Sequence, residues 1–181
     1  LKPMDIELPE KATPQFPSDW KEINTVTISY GHGISVSPLH LVRGIATLVS
    51  GGMSKRLTLL KDGNNSKPQA ERIVSEKTSQ NIRRLMRLVV DHGTGNKAEV
   101  AGYRVGGKTG TAEKIYGGNY NQDAKMASFI ATFPVDDPKY IVLVMIDEPK
   151  GDKTTYGYAR GGWISAPAAG NIISRMGPLL G

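Results

Sequence analysis

The chain has 181 residues, 39% hydrophobic and 22% charged, with a formal net charge of +6 and no cysteine. That length suffices for one domain or one lobe of a larger one, no apolar run approaches the ~20 residues that cross a bilayer, and disulfides, thiolate nucleophiles and cysteine metal sites are excluded. The positive balance would suit a polyanion, but the basic residues are dispersed; the densest group, Arg83, Arg84 and Arg87, falls by periodicity on the wet face of a helix without interleaved aromatics, so no nucleic-acid partner is expected.

Residues 1–18 carry four prolines and no periodicity, and Leu1 follows no start methionine or signal peptide, which reads as a piece of a longer protein. Residues 23–29, with Ile23, Val26 and Ile28, predict a short strand or an extended approach to the Gly31-His32-Gly33 turn. Ser37 and Pro38 open a helix with an apolar stripe of Leu39, Val42, Ile45, Ala46 and Val49, stopped by Gly51-Gly52. The polar stretch 61–69 predicts an exposed loop. A second helix is predicted over 75–92, with Ile82, Leu85, Met86 and Val89 inward and Gly93 at its end. Strands follow over 103–114, 125–133 and 140–147, the last two joined by Pro134-Val135-Asp136-Asp137-Pro138, whose prolines and aspartates preset a tight reversal. A Gly- and Tyr-rich loop over 151–162 leads to a last helix that Ser165 can cap, with Pro167 in its first turn and Ile172, Ile173 and Met176 inward. The expected fold class is α/β: an antiparallel sheet flanked by helices, the last on one face and the two earlier ones on the other.

Gly106-Gly107-Lys108-Thr109-Gly110-Thr111-Ala112 satisfies two functional patterns. From Gly102 to Thr109 it fits the phosphate-cradling G-x-x-x-x-G-K-[ST], and the apolar run ending at Asp147 imitates a magnesium-holding strand, as in a nucleotide hydrolase. That pattern needs a buried strand before it and a helix directly after it. Here Asn96-Lys97-Ala98-Glu99 is polar, and Gly110, Gly117, Gly118 and Asn119 would break the helix. The other pattern is the Lys-Thr-Gly box of penicillin-recognising serine enzymes, which lies on a strand. A third reading, a non-catalytic interaction module, stays open on a box this short.

The box does not stand alone. Ser29-Tyr30-Gly31-His32-Gly33-Ile34-Ser35-Val36-Ser37-Pro38, Gly102-Tyr103-Arg104 ahead of Lys108-Thr109-Gly110-Thr111-Ala112, and Gly161-Gly162 with Ser165-Ala166-Pro167 together resemble class B penicillin-binding proteins, above all the division-specific septal transpeptidases of Gram-negative bacteria. The resemblance runs from about residue 25 to 176 and implies a partial penicillin-binding transpeptidase fold, serine β-lactamase-like, of which 1–181 is the C-terminal portion. It implies a periplasmic peptidoglycan D,D-transpeptidase held at the inner membrane by a segment outside this sequence. The partners implied are a stem peptide, β-lactams and cell-division proteins, with no cofactor, no metal and no membrane contact by this segment.

By the same resemblance Lys108, Thr109 and Gly110 serve the catalytic groove, with Lys108 orienting its hydroxyl network. Thr109 and Thr111 bind the ligand carboxylate, the Thr111 N–H is an oxyanion donor, and Glu113, Tyr116 and Tyr120 flank the cleft. The nucleophile and Ser-x-Asn motifs are expected upstream of Leu1, leaving this piece inert by itself. Ser18-Asp19-Trp20-Lys21 and Ser79-Gln80-Asn81 imitate them by spacing, but the first lies in the Pro-rich stretch and the second inside a helix and after the Gly31 turn, so both are read as chance. His32, His40 and His92 have no metal-ligand spacing and are read as structural. The approach Tyr156-Gly157-Tyr158-Ala159-Arg160 is longer than in relatives, which makes the aromatic wall there a departure from the family pattern.

Overall fold

The computed structural model describes residues 1–61, 70–117 and 119–180, so nearly all of the stretch 61–69 predicted as a loop lies outside the described residues. The chain divides into two units, Leu1–Glu76 and Lys77–Gly181.

The first unit carries α1 (Glu22–Ser29), α2 (Pro38–Val49) and a two-residue antiparallel pair, β1 (Met53–Ser54) and β2 (Glu71–Arg72). α1 corrects the extended segment predicted at 23–29. The β-branched run favours a strand by propensity, but polar caps decide for helix. Asn24 accepts from the Lys21 amide at 2.8 Å, and the Thr27 and Ser29 hydroxyls donate to carbonyls three residues back. The expected turn then closes the helix: Gly31, at φ 98°, sends its N–H to Ile28, and His32 sends its N–H to Thr27, the paired bonds of a left-handed C-terminal cap. α2 matches its predicted bounds. Its N-cap Ser37 spends its hydroxyl on His40 Nδ1 at 2.7 Å rather than on the helix backbone. His40 Nε2 lies 2.9 Å from the Lys2 carbonyl, which can only accept, so Nε2 carries a proton and pins the N-terminal segment to the helix.

The second unit is built on a three-stranded antiparallel sheet in the order β3 (Gly106–Tyr116), β4 (Asn119–Phe133), β5 (Tyr140–Asp147), with α3 (Glu76–Asp91), a 3-10 turn at Asn96–Ala98 and α4 (Ser165–Leu180) around it. Register pairs Gly107 with Ala131 and Thr109 with Phe129, then Phe129 with Val144. Alternation therefore sends Phe129, Ala131 and Phe133 to one face, where they form the core with Ala166, Ala169 and Ile173 of α4. Ile173 is fully buried as predicted, whereas Ile172 and Met176 are more than a third exposed. Val90 of α3 joins the same cluster, so the end of α3 shares this core with α4 instead of lying across the sheet from it.

Two readings of α3 need correction. Leu85 is 62% exposed, and the inward positions are Ser79, Met86 and Val90. Arg87 is not on a wet face: its side chain is 15% exposed and forks onto the Glu99 carboxylate at 2.7 and 3.1 Å, with further bonds to the Val105 carbonyl at 2.7 Å and to Asp91. The Glu99 hydrogen bond, more than its charge or that of Asp91, pushes the guanidinium's pKa up. This cation ties α3 to the segment entering β3, which fixes where the Lys-Thr-Gly strand starts.

Candidate functional site

The two glycines ahead of Lys108 let β3 approach its neighbours closely. A Cβ on Gly106 would stand 2.5 Å from Val135 Cγ2, and one on Gly107 would meet the fully buried ring of Phe129 and, at 2.8 Å, the Ile130 carbonyl. The backbone is extended through the whole box, which overturns the phosphate-loop alternative: Thr109 lies inside a strand, and no helix follows it. Asp147 is committed as well, holding Lys114 Nζ at 3.0 Å. Among the described residues β3 pairs only with β4, so its other edge has no strand partner and an extended peptide can pair there.

Alternation places Lys108 and Gly110 on one face of β3 and Thr109, Thr111 and Glu113 on the other. Lys108 is exposed and gives one of its three protons to the Thr109 carbonyl at 2.8 Å. Thr109 Oγ1 lies 2.9 Å from Thr94 Oγ1, the hydroxyl that follows α3. Whichever of the two donates, one proton of the pair remains for a ligand. Thr111 Oγ1 accepts the Gly161 N–H at 3.2 Å, so its own proton is also available. Thr111 is thus oriented with its own proton free, and the Thr94–Thr109 pair keeps one proton between its two hydroxyls for an anion.

The loop before α4 is brought onto this strand by its glycine pair. A Cβ on Gly161 would collide with the Ser128 carbonyl and stand 2.6 Å from the Gly110 carbonyl, while one on Gly162 would collide with the Thr94 carbonyl. The result is a cavity of about 420 Å³ lined by Thr94, Asn96, Lys97, Thr109, Thr111, Arg160, Gly162 and Trp163. Tyr158 stacks on Trp163 at 5.6 Å, Tyr156 meets it edge-on at 5.7 Å, and Lys97 Nζ stands 4.5 Å over the same ring. The Asp152 turn supports this aromatic group. Its carboxylate takes the Thr154 hydroxyl at 2.7 Å and the Thr154 and Thr155 amides at 2.8 and 3.0 Å, and those bonds, the hydroxyl's first, hold its pKa below the ordinary carboxylate value.

Of the residues singled out from sequence, Thr109 and Thr111 line the cavity, Lys108 and Gly110 are on the same strand but on its other face, and Glu113 follows along β3, opposite Lys125 and beside a register shift. Tyr116 and Tyr120 are partnered positions on β3 and β4, at Asn119 and Ile115, but their side chains lie outside the described residues. Sequence reasoning missed Thr94, Asn96, Lys97 and Trp163; the only trace of them was the Gly-Thr-Gly turn at 93–95 and the extra aromatics before Gly161. Ser18-Asp19-Trp20-Lys21 is an exposed, non-helical approach to α1, and Ser79 is buried within α3, so neither imitates a nucleophile helix or its partner in space. A second cavity of about 470 Å³ is lined by Arg83, Arg84, Arg87 and Arg104, two of whose cations are neutralised by Asp91, Glu99 and Asp136.

Residues 2–174 match the penicillin binding protein transpeptidase domain. The chain is 42% identical to the probable peptidoglycan D,D-transpeptidase FtsI of Caulobacter vibrioides, over 99% of its own length and 32% of that protein. It is 38% identical to stage V sporulation protein D of Bacillus subtilis, over 88% of its length and 25% of the relative. Among solved structures, the transpeptidase domain of penicillin-binding protein 3 from Burkholderia pseudomallei superposes with a TM-score of 0.83 at 33% identity, covering 96% of this chain and 52% of that one. The ampicillin complex of penicillin-binding protein 3 from Mycobacterium tuberculosis gives 0.81 at 26% identity, covering 96% and 42%. The chain therefore spans about a third of these curated relatives or less, and about half of the solved chains.

Proposed function

The chain belongs to the penicillin-binding protein transpeptidase family, and from that premise we propose that it supplies the ligand-binding strand of a peptidoglycan D,D-transpeptidase as the C-terminal portion of its catalytic domain. The observation that carries this reading is the hydroxyl set at the start of β3, Thr111 with its proton free and Thr109 sharing one free proton with Thr94, on a strand that among the described residues has a strand partner on one side only.

In this reading a stem peptide ending in D-alanyl-D-alanine lies antiparallel along the edge of β3. Its terminal carboxylate accepts from Thr109 and Thr111. A serine outside this sequence attacks the penultimate carbonyl; the C–N bond breaks, the departing D-alanine takes the serine's proton, and an acyl ester remains. The Thr111 N–H stabilises the oxyanion, a contribution of roughly 3 kcal/mol for one such donor. An amine of a neighbouring stem peptide then attacks the ester, and its proton returns to the serine. Lys108 orients the hydroxyl network, Gly110 keeps the strand clear for the acyl group, and Glu113, Tyr116 and Tyr120 flank the far end of the groove. A β-lactam enters as a donor mimic and stops at the ester. In this reading the whole protein works at the periplasmic face of the inner membrane among cell-division proteins, which the 42% identity to the probable transpeptidase FtsI of Caulobacter supports.

Covalent labelling of the whole protein with a fluorescent penicillin tests the assignment. Wild type is expected to label, and Lys108→Ala to label roughly 100-fold more slowly while keeping its melting temperature. A wild-type protein that takes no label contradicts the proposal, as does a folded Lys108→Ala variant that labels at the wild-type rate.

A further inference from the structure

The cavity beside Thr109 and Thr111 carries more positive charge than its hydroxyls require. Its lining holds two cations, Lys97 and Arg160, an amide and three hydroxyls, and no carboxylate. Neither cation has an acidic partner among the described residues. Each is seated on an aromatic ring instead: Lys97 Nζ lies 4.5 Å over Trp163, and the Arg160 guanidinium lies 6.0 Å over Tyr158, which itself stacks on Trp163. Ring faces hold a cation in place without neutralising its charge, so both remain available to an incoming anion.

The backbones behind them are fixed. Lys97 belongs to the 3-10 turn whose Ala98 is fully buried, and the Lys97 carbonyl would stand 3.3 Å from a Cβ on Gly170 of α4. The Arg160 carbonyl accepts from the Trp163 and Ile164 amides at 2.9 and 3.0 Å as the loop turns into α4. Side chains carried on fixed backbone and resting on rings lose little further freedom when a ligand arrives.

We infer that Lys97 and Arg160, seated on Trp163 and Tyr158, are specificity-determining residues that supply the counter-charge for the anionic end of the ligand bound by Thr109 and Thr111. This rests on the transpeptidase reading above and extends it to residues outside the Lys-Thr-Gly strand. The hydroxyls set the direction of the carboxylate, and the two cations raise its local concentration and reward its charge.

The test is the second-order rate of acylation of the whole protein by benzylpenicillin, measured across a salt series with Lys97→Gln, Arg160→Gln, Lys97→Arg and Arg160→Lys. At about 50 mM salt each glutamine variant is expected to react about fivefold more slowly than wild type. Near 1 M salt, where screening shortens to about 3 Å, the deficit is expected to shrink below about twofold. The charge-keeping variants should stay within about twofold of wild type throughout. Rates equal to wild type at low salt for both glutamine variants overturn the inference, and so does a deficit at both positions that persists undiminished at high salt, which would mark a structural role. A wild-type protein that is not acylated at any salt concentration fails the transpeptidase reading itself, whereas acylated wild type with unchanged variants fails this inference alone.

Discussion

Gly161 shows how much of the site depends on a single missing methyl group. Its N–H orients Thr111, and any side chain there would strike the carbonyls of Ser128 and Gly110 on two adjacent strands. Backbone cannot yield as the end of a flexible side chain does, so the whole loop would have to lift from β3. Gly161→Ala is expected to lower penicillin acylation at least tenfold while changing the melting temperature by only a few degrees, because the loop and not the core is displaced. Labelling at the wild-type rate would show that the loop's contact with Thr111 does not serve the site. Gly107 is the opposite case. Its space is closed by Phe129, fully buried in the core, so Gly107→Ala is expected to cost about 3 kcal/mol or more in a denaturant titration. A loss below 1 kcal/mol would mean that Phe129 has an alternative rotamer and that the strand is less tightly set than its contacts indicate.

At the scale of elements, the legible parts were those whose punctuation is local. Ser37-Pro38 with Gly51-Gly52 bounded α2, Gly93 ended α3, and the Pro134 to Pro138 reversal set β5 against β4. The strand carrying Lys108 and Thr109 was legible because its flanks forbid a helix. α1 was not, since Ile23, Thr25, Val26, Thr27 and Ile28 favour extended backbone and the decision fell to Asn24 and Gly31 acting at the two ends. Arg87 was misplaced for a different reason. Periodicity sees a charge and puts it in water, but Glu99 and Val105, 12 and 18 residues away, take both of its terminal nitrogens in a largely buried place. Arg87→Met is expected to lower stability by about 2 kcal/mol and, by loosening the entry to β3, to slow acylation; equal stability to wild type would show that the fork onto Glu99 has no net worth. The cavity wall was illegible because Thr94, Lys97 and Trp163 meet Thr109 only through the tertiary fold.

The loop over 151–162 makes a pH-dependent contribution of known sign. Hydrogen bonds from Thr154 and Thr155 lower the Asp152 pKa in the folded protein, so the unfolded chain binds its proton first as pH falls. The support from this turn is therefore complete above the ordinary carboxylate range and disappears as pH drops through the lowered folded value. Near-ultraviolet circular dichroism is expected to lose, on acidification below about pH 4, the component that Trp163→Phe removes, and Asp152→Ala to lack that component already at neutral pH. A Trp163 signal in Asp152→Ala that matches wild type at pH 7 would show that the turn does not position the aromatics.

At the scale of the whole molecule, the chain covers 32% of its Caulobacter relative and 52% of the Burkholderia transpeptidase chain. Three separated segments in register made the family readable from sequence, whereas the box alone left two chemistries standing. The structure removed the phosphate-loop alternative through one feature, extended backbone from Gly106 to Tyr116. In the transpeptidase reading this unit contributes a strand edge, the Thr109 and Thr111 hydroxyls and a positively charged cavity. A crystal structure of the whole protein acylated by benzylpenicillin is the most direct measurement of that account. The account expects the ligand's carboxylate within hydrogen-bond reach of Thr109 Oγ1 and Thr111 Oγ1, with its amide chain paired to the free edge of β3. An acyl group whose carboxylate points away from both threonines would contradict it.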